Sequence, residues 1–154
     1  MDTLTTAERS KQMALIRSKN TKPELLVGAV VRSHGYRFRL HCSDLPGKPD
    51  LVFPKLKKVI FVHGCFWHGH KCRLGRVPKS HKDYWVGKII GNHKRDLRTL
   101  RLLRRSGWNY LVLWECHLRK RNLSQLSSRI LRFLEKPILT PHTPNSLPVN
   151  TSVR

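Results

Sequence analysis

Apolar positions in this chain change their spacing several times, and each change marks an element. Thr5 and Glu8 have capping-box spacing, which predicts a helix from about Thr6 to Ser18. Thr21 and Glu24 repeat the spacing with Pro23 in the first turn. They open a second helix that would hold Leu25, Leu26, Val30 and Val31 and stop at Gly35. Tyr36, Phe38 and Leu40 alternate with Arg37 and Arg39, the period of a half-buried strand. After the Pro46-Gly47-Lys48-Pro49 turn, Asp50 to Phe53 reads as a second strand. Pro54 to Lys58 turns the chain, and Val59 to Val62 reads as a buried third strand pairing with the second as a hairpin. Residues 64–82 have no period. A long helix follows from about Asp83 to Arg105, with Val86, Ile89, Ile90, His93, Leu97 and Leu100 on one side and Gly107 as its stop. Tyr110 to Trp114 is apolar throughout, which predicts a central fourth strand. Leu126, Ile130, Phe133 and Leu134 define a last helix capped by Ser124. The order is a helix, then α-β-β-β-α-β, then a helix: a mixed α/β sheet covered by helices.

Composition adds a partner. The 154 residues hold 31 Lys and Arg against 9 Asp and Glu, a net charge of +22. Such a balance favours a polyanion, nucleic acid or an anionic membrane surface. Thirty of the basic residues and all nine acidic ones precede residue 137, so that segment carries +21. It is long enough to be one domain with its own core, residues 1–136. Residues 137–154 place four prolines among Thr, Ser and Asn and read as a disordered tail. No apolar run approaches the ~20 residues that span a bilayer, and no secretory signal opens the chain, so a cytoplasmic protein is expected.

The unperiodic segment carries candidate chemistry. Cys65, His70 and Cys72 form C-x4-H-x-C, and Cys116 follows the fourth strand. Three thiolates and an imidazole are a common structural set for Zn²⁺, which would order a loop lacking an apolar core. His63, His68 and His117 are neighbours that could compete as ligands. Cys42 stands apart and reads as a free thiol. The hairpin brings Asp50 and His63 to one end of the sheet, with His68 after a short loop. A carboxylate beside two histidines suits metal-assisted phosphodiester hydrolysis: the carboxylate holds Mg²⁺ and a neutral histidine takes a proton from water. Glu24 could add a second carboxylate or serve only its helix cap.

Lys94, Arg98, Arg101 and Arg105 recur at i, i+4, i+7 and i+11, a basic stripe for phosphates that the few acidic residues cannot neutralise. Phe66 and Trp67 are adjacent and can hardly share one core; with Trp85, and with Met13 on the first helix, they are candidate wedges between base steps or packing groups over the metal loop.

Leu45-Pro46-Gly47-Lys48-Pro49-Asp50, followed by Val59-Ile60-Phe61-Val62-His63-Gly64-Cys65-Phe66-Trp67-His68, resembles the very-short-patch repair endonucleases. Arg9 to Met13, Gly107-Trp108 and Trp114-Glu115-Cys116 extend the resemblance over roughly residues 7–135. It implies a restriction-endonuclease-like fold and a Mg²⁺-dependent nick at a T·G mismatch left by deamination of 5-methylcytosine. Asp50 would hold Mg²⁺ together with the backbone carbonyl of Val62, His68 would be the general base, His63 would act at the scissile phosphate and Glu24 would support the site. Zn²⁺ would be held by Cys65, His70, Cys72 and Cys116. Phe66, Trp67 and Met13 would wedge beside the mismatch with Trp85 nearby. The implied partners are duplex DNA, mismatch-repair proteins and a repair DNA polymerase, with the chain acting as a monomer. Three departures stand out: Val62 replaces a familiar threonine, Gly69 and Lys71 interrupt a longer histidine run, and Phe61-Val62-His63 occupies the place of the usual Glu/Asp-x-Lys motif. Two other readings remain: a zinc-stabilised nucleic-acid binding module without chemistry, and a related nickase of different specificity.

Overall fold

The computed structural model describes Thr5, Ala7, Glu8, Lys11, Leu15 and residues 19–119 and 122–137. Met13 and residues 138–154 lie outside the described residues, as does most of the first expected helix. The capping box at its start is formed: the Thr5 N–H and hydroxyl donate to Glu8 at 2.8 and 2.7 Å.

Helix α1 (Lys22–Ser33) begins at Thr21, whose side chain accepts from the Glu24 N–H. It buries Val27, Val30 and Val31, whereas Leu25 is 55% exposed. The buried line runs i, i+3, i+4 from Val27, which turns Leu25 outward. His34 caps the helix and Gly35 takes the left-handed conformation at φ +80°.

Four strands form one sheet in the order β1 (Arg39–Leu40), β2 (Leu51–Phe53), β3 (Lys58–His63) and β4 (Asn109–Trp114). The first two pairings are antiparallel and the last is parallel. The first strand is shorter than its alternation suggested: Tyr36 and Phe38 pack on the core from outside the ladder, and Leu40 is 44% exposed. The apolar β4 is not central; it pairs only with β3 among the described strands. Only Leu113 of β4 is buried and its other residues are half-buried, so the apolar run reported helices packed on its faces and not a central position in the sheet.

Successive strand residues feed two separate cores. Leu51, Phe53, Ile60 and Leu113 face α1, α3 (Glu115–Arg119) and α4 (Leu123–Glu135) through Val27, Val31, Leu118, Ile130 and Leu134. Val52, Val59 and Phe61 face Leu103 of α2 (Lys82–Arg105). The result is three layers, helices over both faces of a mixed sheet. The short α3 was not legible from period, and α4 is capped by Asn122, which accepts from the Gln125 N–H at 3.1 Å, rather than by Ser124. Lys58 is buried at the start of β3 and donates to the carbonyls of Leu134 and Lys136, satisfying the end of α4. No described helix is long and apolar enough to cross a membrane.

The inner face of α2 differs in phase from the expected stripe. Trp85, Ile89, Asn92, Asp96, Thr99 and Leu103 point inward, while His93 is exposed and Ile90 and Leu97 are 50% and 42% exposed. The period is helical, but three of the inward residues are polar: Asn92 and Asp96 bond the loop after β3, and Thr99 meets the turn at Gly47. That places α2 across the end of the sheet where β2 starts and β3 and β4 finish.

Candidate active site

Asp50 stands where the tight turn enters β2. Gly47 has φ +74°, and a Cβ there would lie 2.3 Å from Thr99 Cγ2 of α2, so only glycine lets turn and helix meet. Pro49 is fully buried behind it. The register of β2 with β3 puts Asp50 beside the end of β3, and its Oδ2 accepts the Val62 N–H at 2.7 Å. Burial pushes the Asp50 carboxyl up to about 6, against that hydrogen bond and with help from the negative charge of Glu24. Glu24 is 7% exposed. Its two oxygens accept from the Thr21 hydroxyl and the Asn20 N–H, both at 2.8 Å. It therefore caps α1 and lies beside Asp50. His41 joins them: Glu24, His41 and Asp50 each offer a ligand atom, all within 4.8 Å of one another.

The second group grows from the end of β3. The His63 and His68 rings stack 3.7 Å apart at 8°. Asp96 of α2 holds His68 Nδ1 at 2.6 Å, and Asn92 donates to the Trp67 carbonyl at 2.7 Å. Two polar residues one turn apart on α2 thus clamp the loop that carries His68. The Asp96 carboxylate fixes the Nδ1–H tautomer and leaves Nε2 to accept a proton. Burial, together with the neighbouring His68 and against the charge of Asp96, pulls His63 down to about 4, so His63 is neutral near pH 7. Asp96 carried no sequence signal beyond its spacing from Asn92 and Thr99, and His41 none beyond following a short strand.

The third group is the Cys/His set. Ligand atoms of Cys65, His70, Cys72 and Cys116 all lie within 4.8 Å of one another, so the four could hold a metal ion. The Cys116 N–H donates to Cys65 Sγ at 3.4 Å, and Cys116 Sγ lies 3.5 Å from His70 Nδ1. Burial pushes the Cys65 thiol up to about 12, while the hydrogen bond with His70 draws Cys72 down to about 7. His63 and His68 belong to the other cluster. His117 is exposed, with its ring 5.8 Å from that of His70. Cys42 packs against the core beside α2, away from this set. Trp114, ending β4, stacks on His70 at 4.3 Å and meets His63 edge-on at 5.4 Å.

Around these groups runs a cleft of about 830 Å³, with Asp50, Glu24, His63, His68 and Asp96 in its lining and Lys48 and Lys88 at its walls. Phe66, Trp67 and Trp85 meet edge to face, with centroids 5.0 to 6.2 Å apart. Trp85 is only 5% exposed and lies beneath the other two, and its indole N–H finds no partner among the described residues. Lys94, Arg98, Arg101 and Arg105 are all exposed, away from the inward face of α2.

A carboxylate pair, a histidine pair with its own carboxylate and a basic flank can together cleave a phosphodiester. Residues 1–74 match the family model described as DNA mismatch endonuclease Vsr. A type II nicking enzyme of Xanthomonas oryzae, V.XorIIP, is 49% identical over 134 residues, 87% of this chain and 97% of the relative. The Neisseria meningitidis type II nicking enzyme V.NmeAIP is 44% identical over 120 residues, 78% of this chain and 86% of the relative. The DNA mismatch endonuclease Vsr of Escherichia coli is 42% identical over 115 residues, 75% of this chain and 74% of the relative. The chain belongs to the Vsr family of DNA mismatch endonucleases and is itself an endonuclease.

Proposed function

We propose that this enzyme makes a Mg²⁺-dependent nick in duplex DNA beside a T·G mismatch, the lesion left when 5-methylcytosine deaminates, and so starts a very-short-patch repair. The observation that carries the reading is the meeting of Asp50 and Glu24 with the His63–His68–Asp96 group across one cleft. The order α-β-β-β-α-β, with Asp50 where β2 begins, supports a restriction-endonuclease-like core. The donors suit Mg²⁺: two carboxylates within reach of each other, one of them held reluctant to ionise until a cation relieves it. The Val62 carbonyl, next to the N–H that Asp50 binds, is the further oxygen we assign to that site. Bound there, Mg²⁺ supplies charge that polarises the phosphate and stabilises the leaving oxygen.

The protein's own part is positional. His68, oriented by Asp96, takes the proton of the attacking water at Nε2, and Asp96 stabilises the resulting imidazolium. His63 stays neutral in the stack, where a second positive ring would oppose that protonation. Phe66 and Trp67 wedge beside the mismatch with Trp85 as their support, and Met13 acts with them. Lys94, Arg98, Arg101 and Arg105 hold phosphates. Zn²⁺ at Cys65, His70, Cys72 and Cys116 fixes the loop that bears His68; three thiols with an imidazole are its ordinary donors. The enzyme works in the cytoplasm as a monomer, and its nick passes to a repair DNA polymerase alongside mismatch-repair proteins.

The names of the nicking relatives favour a second reading, a nickase of other specificity. One assay separates them. An end-labelled duplex panel, matched or carrying T·G in different contexts, is incubated with and without Mg²⁺. Nicking confined to one strand of T·G duplexes is expected, with Asp50→Ala binding DNA but not cutting. Equal cleavage of matched duplexes would overturn the mismatch reading, and undiminished cleavage by Asp50→Ala would overturn the site.

A further inference from the structure

His41 is the one member of the carboxylate cluster that neither the family motif nor the mechanism uses. The antiparallel register, with Leu40 opposite Leu51, sets His41 opposite Asp50, and the His41 N–H donates to the Asp50 carbonyl at 3.2 Å. The residue holds φ at +48°, a left-handed conformation that side chains other than glycine rarely adopt. Its ring is thereby held between both carboxylates: Nε2 lies 3.7 Å from Glu24 Oε2 and Nδ1 lies 4.0 Å from Asp50 Oδ1. Neither separation is a hydrogen bond. The Nδ1–Oδ1 separation is at the upper end of the roughly 3–4 Å between neighbouring ligand atoms around a cation bound at about 2.0–2.3 Å, and one ligand atom from each of the three residues lies within 4.8 Å of the others. The ring is also oriented from behind. Nε2 lies 3.3 Å from Asn20 Oδ1, an acceptor only, so the tautomer that donates to Asn20 leaves the Nδ1 lone pair on the Asp50 side. A second partner that sets the tautomer is what metal-binding histidines ordinarily have.

We infer that His41 is a third protein ligand of the cation site built by Glu24 and Asp50, and that its nitrogen gives this site a preference for a first-row transition cation such as Mn²⁺ over Mg²⁺. This rests on the reading that Asp50 holds the catalytic cation. Mg²⁺ keeps to oxygen donors and sheds its waters reluctantly, whereas transition cations accept imidazole readily. A carboxylate-only site has no such bias.

The test reads binding rather than nicking. Zinc-loaded protein is titrated with Mn²⁺ and separately with Mg²⁺, and the Mn²⁺ complex is examined by electron spin-echo spectroscopy for modulation by a directly bound imidazole nitrogen. The variant is His41→Asn, because asparagine tolerates the left-handed backbone. Wild type should show the modulation; His41→Asn should lose it and weaken Mn²⁺ by about tenfold or more, the size that even outer partners of a metal command. Mg²⁺ affinity should change much less. Wild-type protein carrying isotope-labelled histidine shows whether the modulating nitrogen is a histidine's at all, and His41→Asn assigns it to this one. Unaltered modulation and affinity in His41→Asn, or no effect of the label, would overturn the assignment. Asp50→Asn distinguishes the levels: if it binds Mn²⁺ as wild type does, the cation-site reading itself falls, and if it loses Mn²⁺ while His41→Asn does not, only the role of His41 falls.

Discussion

Asp50 makes the fold less stable for the sake of the site, and Asp50→Asn should show by how much. Burial raises the carboxyl from 3.8 to about 6, so between those values the folded chain holds a proton that the unfolded chain has released. Stability from this group is therefore present at low pH and lost as pH rises through 6. The full loss is about 3 kcal/mol at 1.36 kcal/mol per pH unit, and about half of it is in place by pH 5. The carboxylate is 18% exposed, which trims the figure toward about 2 kcal/mol. In Asp50→Asn the amide oxygen can still accept the Val62 N–H, while the charge is gone. Without Mg²⁺ at pH 8, the inactive variant should be about 2–3 kcal/mol more stable than wild type; the gap should shrink at pH 5 and vanish below pH 4. Adding Mg²⁺ should narrow it at pH 8, because a cation that binds only the folded wild type stabilises it by mass action. Urea unfolding of zinc-matched samples in Mg²⁺-free buffer measures this. A variant no more stable than wild type at pH 8 would refute the claim that the carboxylate is held ionised at a cost.

Four other outcomes are expected. Asp96→Ala frees the His68 ring and should lower the single-turnover nicking rate by about a hundredfold or more, with duplex affinity retained in a gel-shift assay. If the Cys/His set holds zinc as proposed, metal analysis should find one zinc per wild-type chain, with loss of it and a lower melting temperature in Cys116→Ala and His70→Ala; full retention in both would mean that other ligands hold it. Arg98→Ala and Arg101→Ala should each reduce the slope of log affinity against log salt by about one, equally on matched and mismatched duplexes. Trp67→Ala should lose preference for T·G more than general affinity, measured by competition between the two duplexes; equal losses would make it a packing residue.

Much of this architecture is written locally, and those parts were legible. The caps at Thr5 and Thr21, the β2–β3 hairpin, the long helix and the Cys/His loop each depend on residues a few positions apart. What depends on distant partners was not. The face that α2 buries contains Asn92 and Asp96, which count as solvent residues until Trp67 and His68 are known to lie opposite. The edge position of β4 follows from which strand it pairs with, and an apolar run says only that both faces are covered. Asn122 rather than Ser124 caps α4, because the helix already starts at Leu123 and the Asn122 side chain accepts the Gln125 N–H. His41 required the strand register and a left-handed residue together.

Trp114 touches both halves of the site, one face on His70 and an edge toward His63 and His68. It is also a fluorophore, and three of the four tryptophans, 67, 85 and 114, gather at this end of the sheet. Trp108 sits at the opposite end of β4 under Lys57. Three of the four indoles thus lie against the Cys/His loop or the Phe66–Trp67 aromatic group. A metal held by the Cys/His set would alter the surroundings of Trp114 and a base stacked on Trp67 would alter that ring, while Trp108 lies away from both, so a change in emission on adding each would report the two events separately.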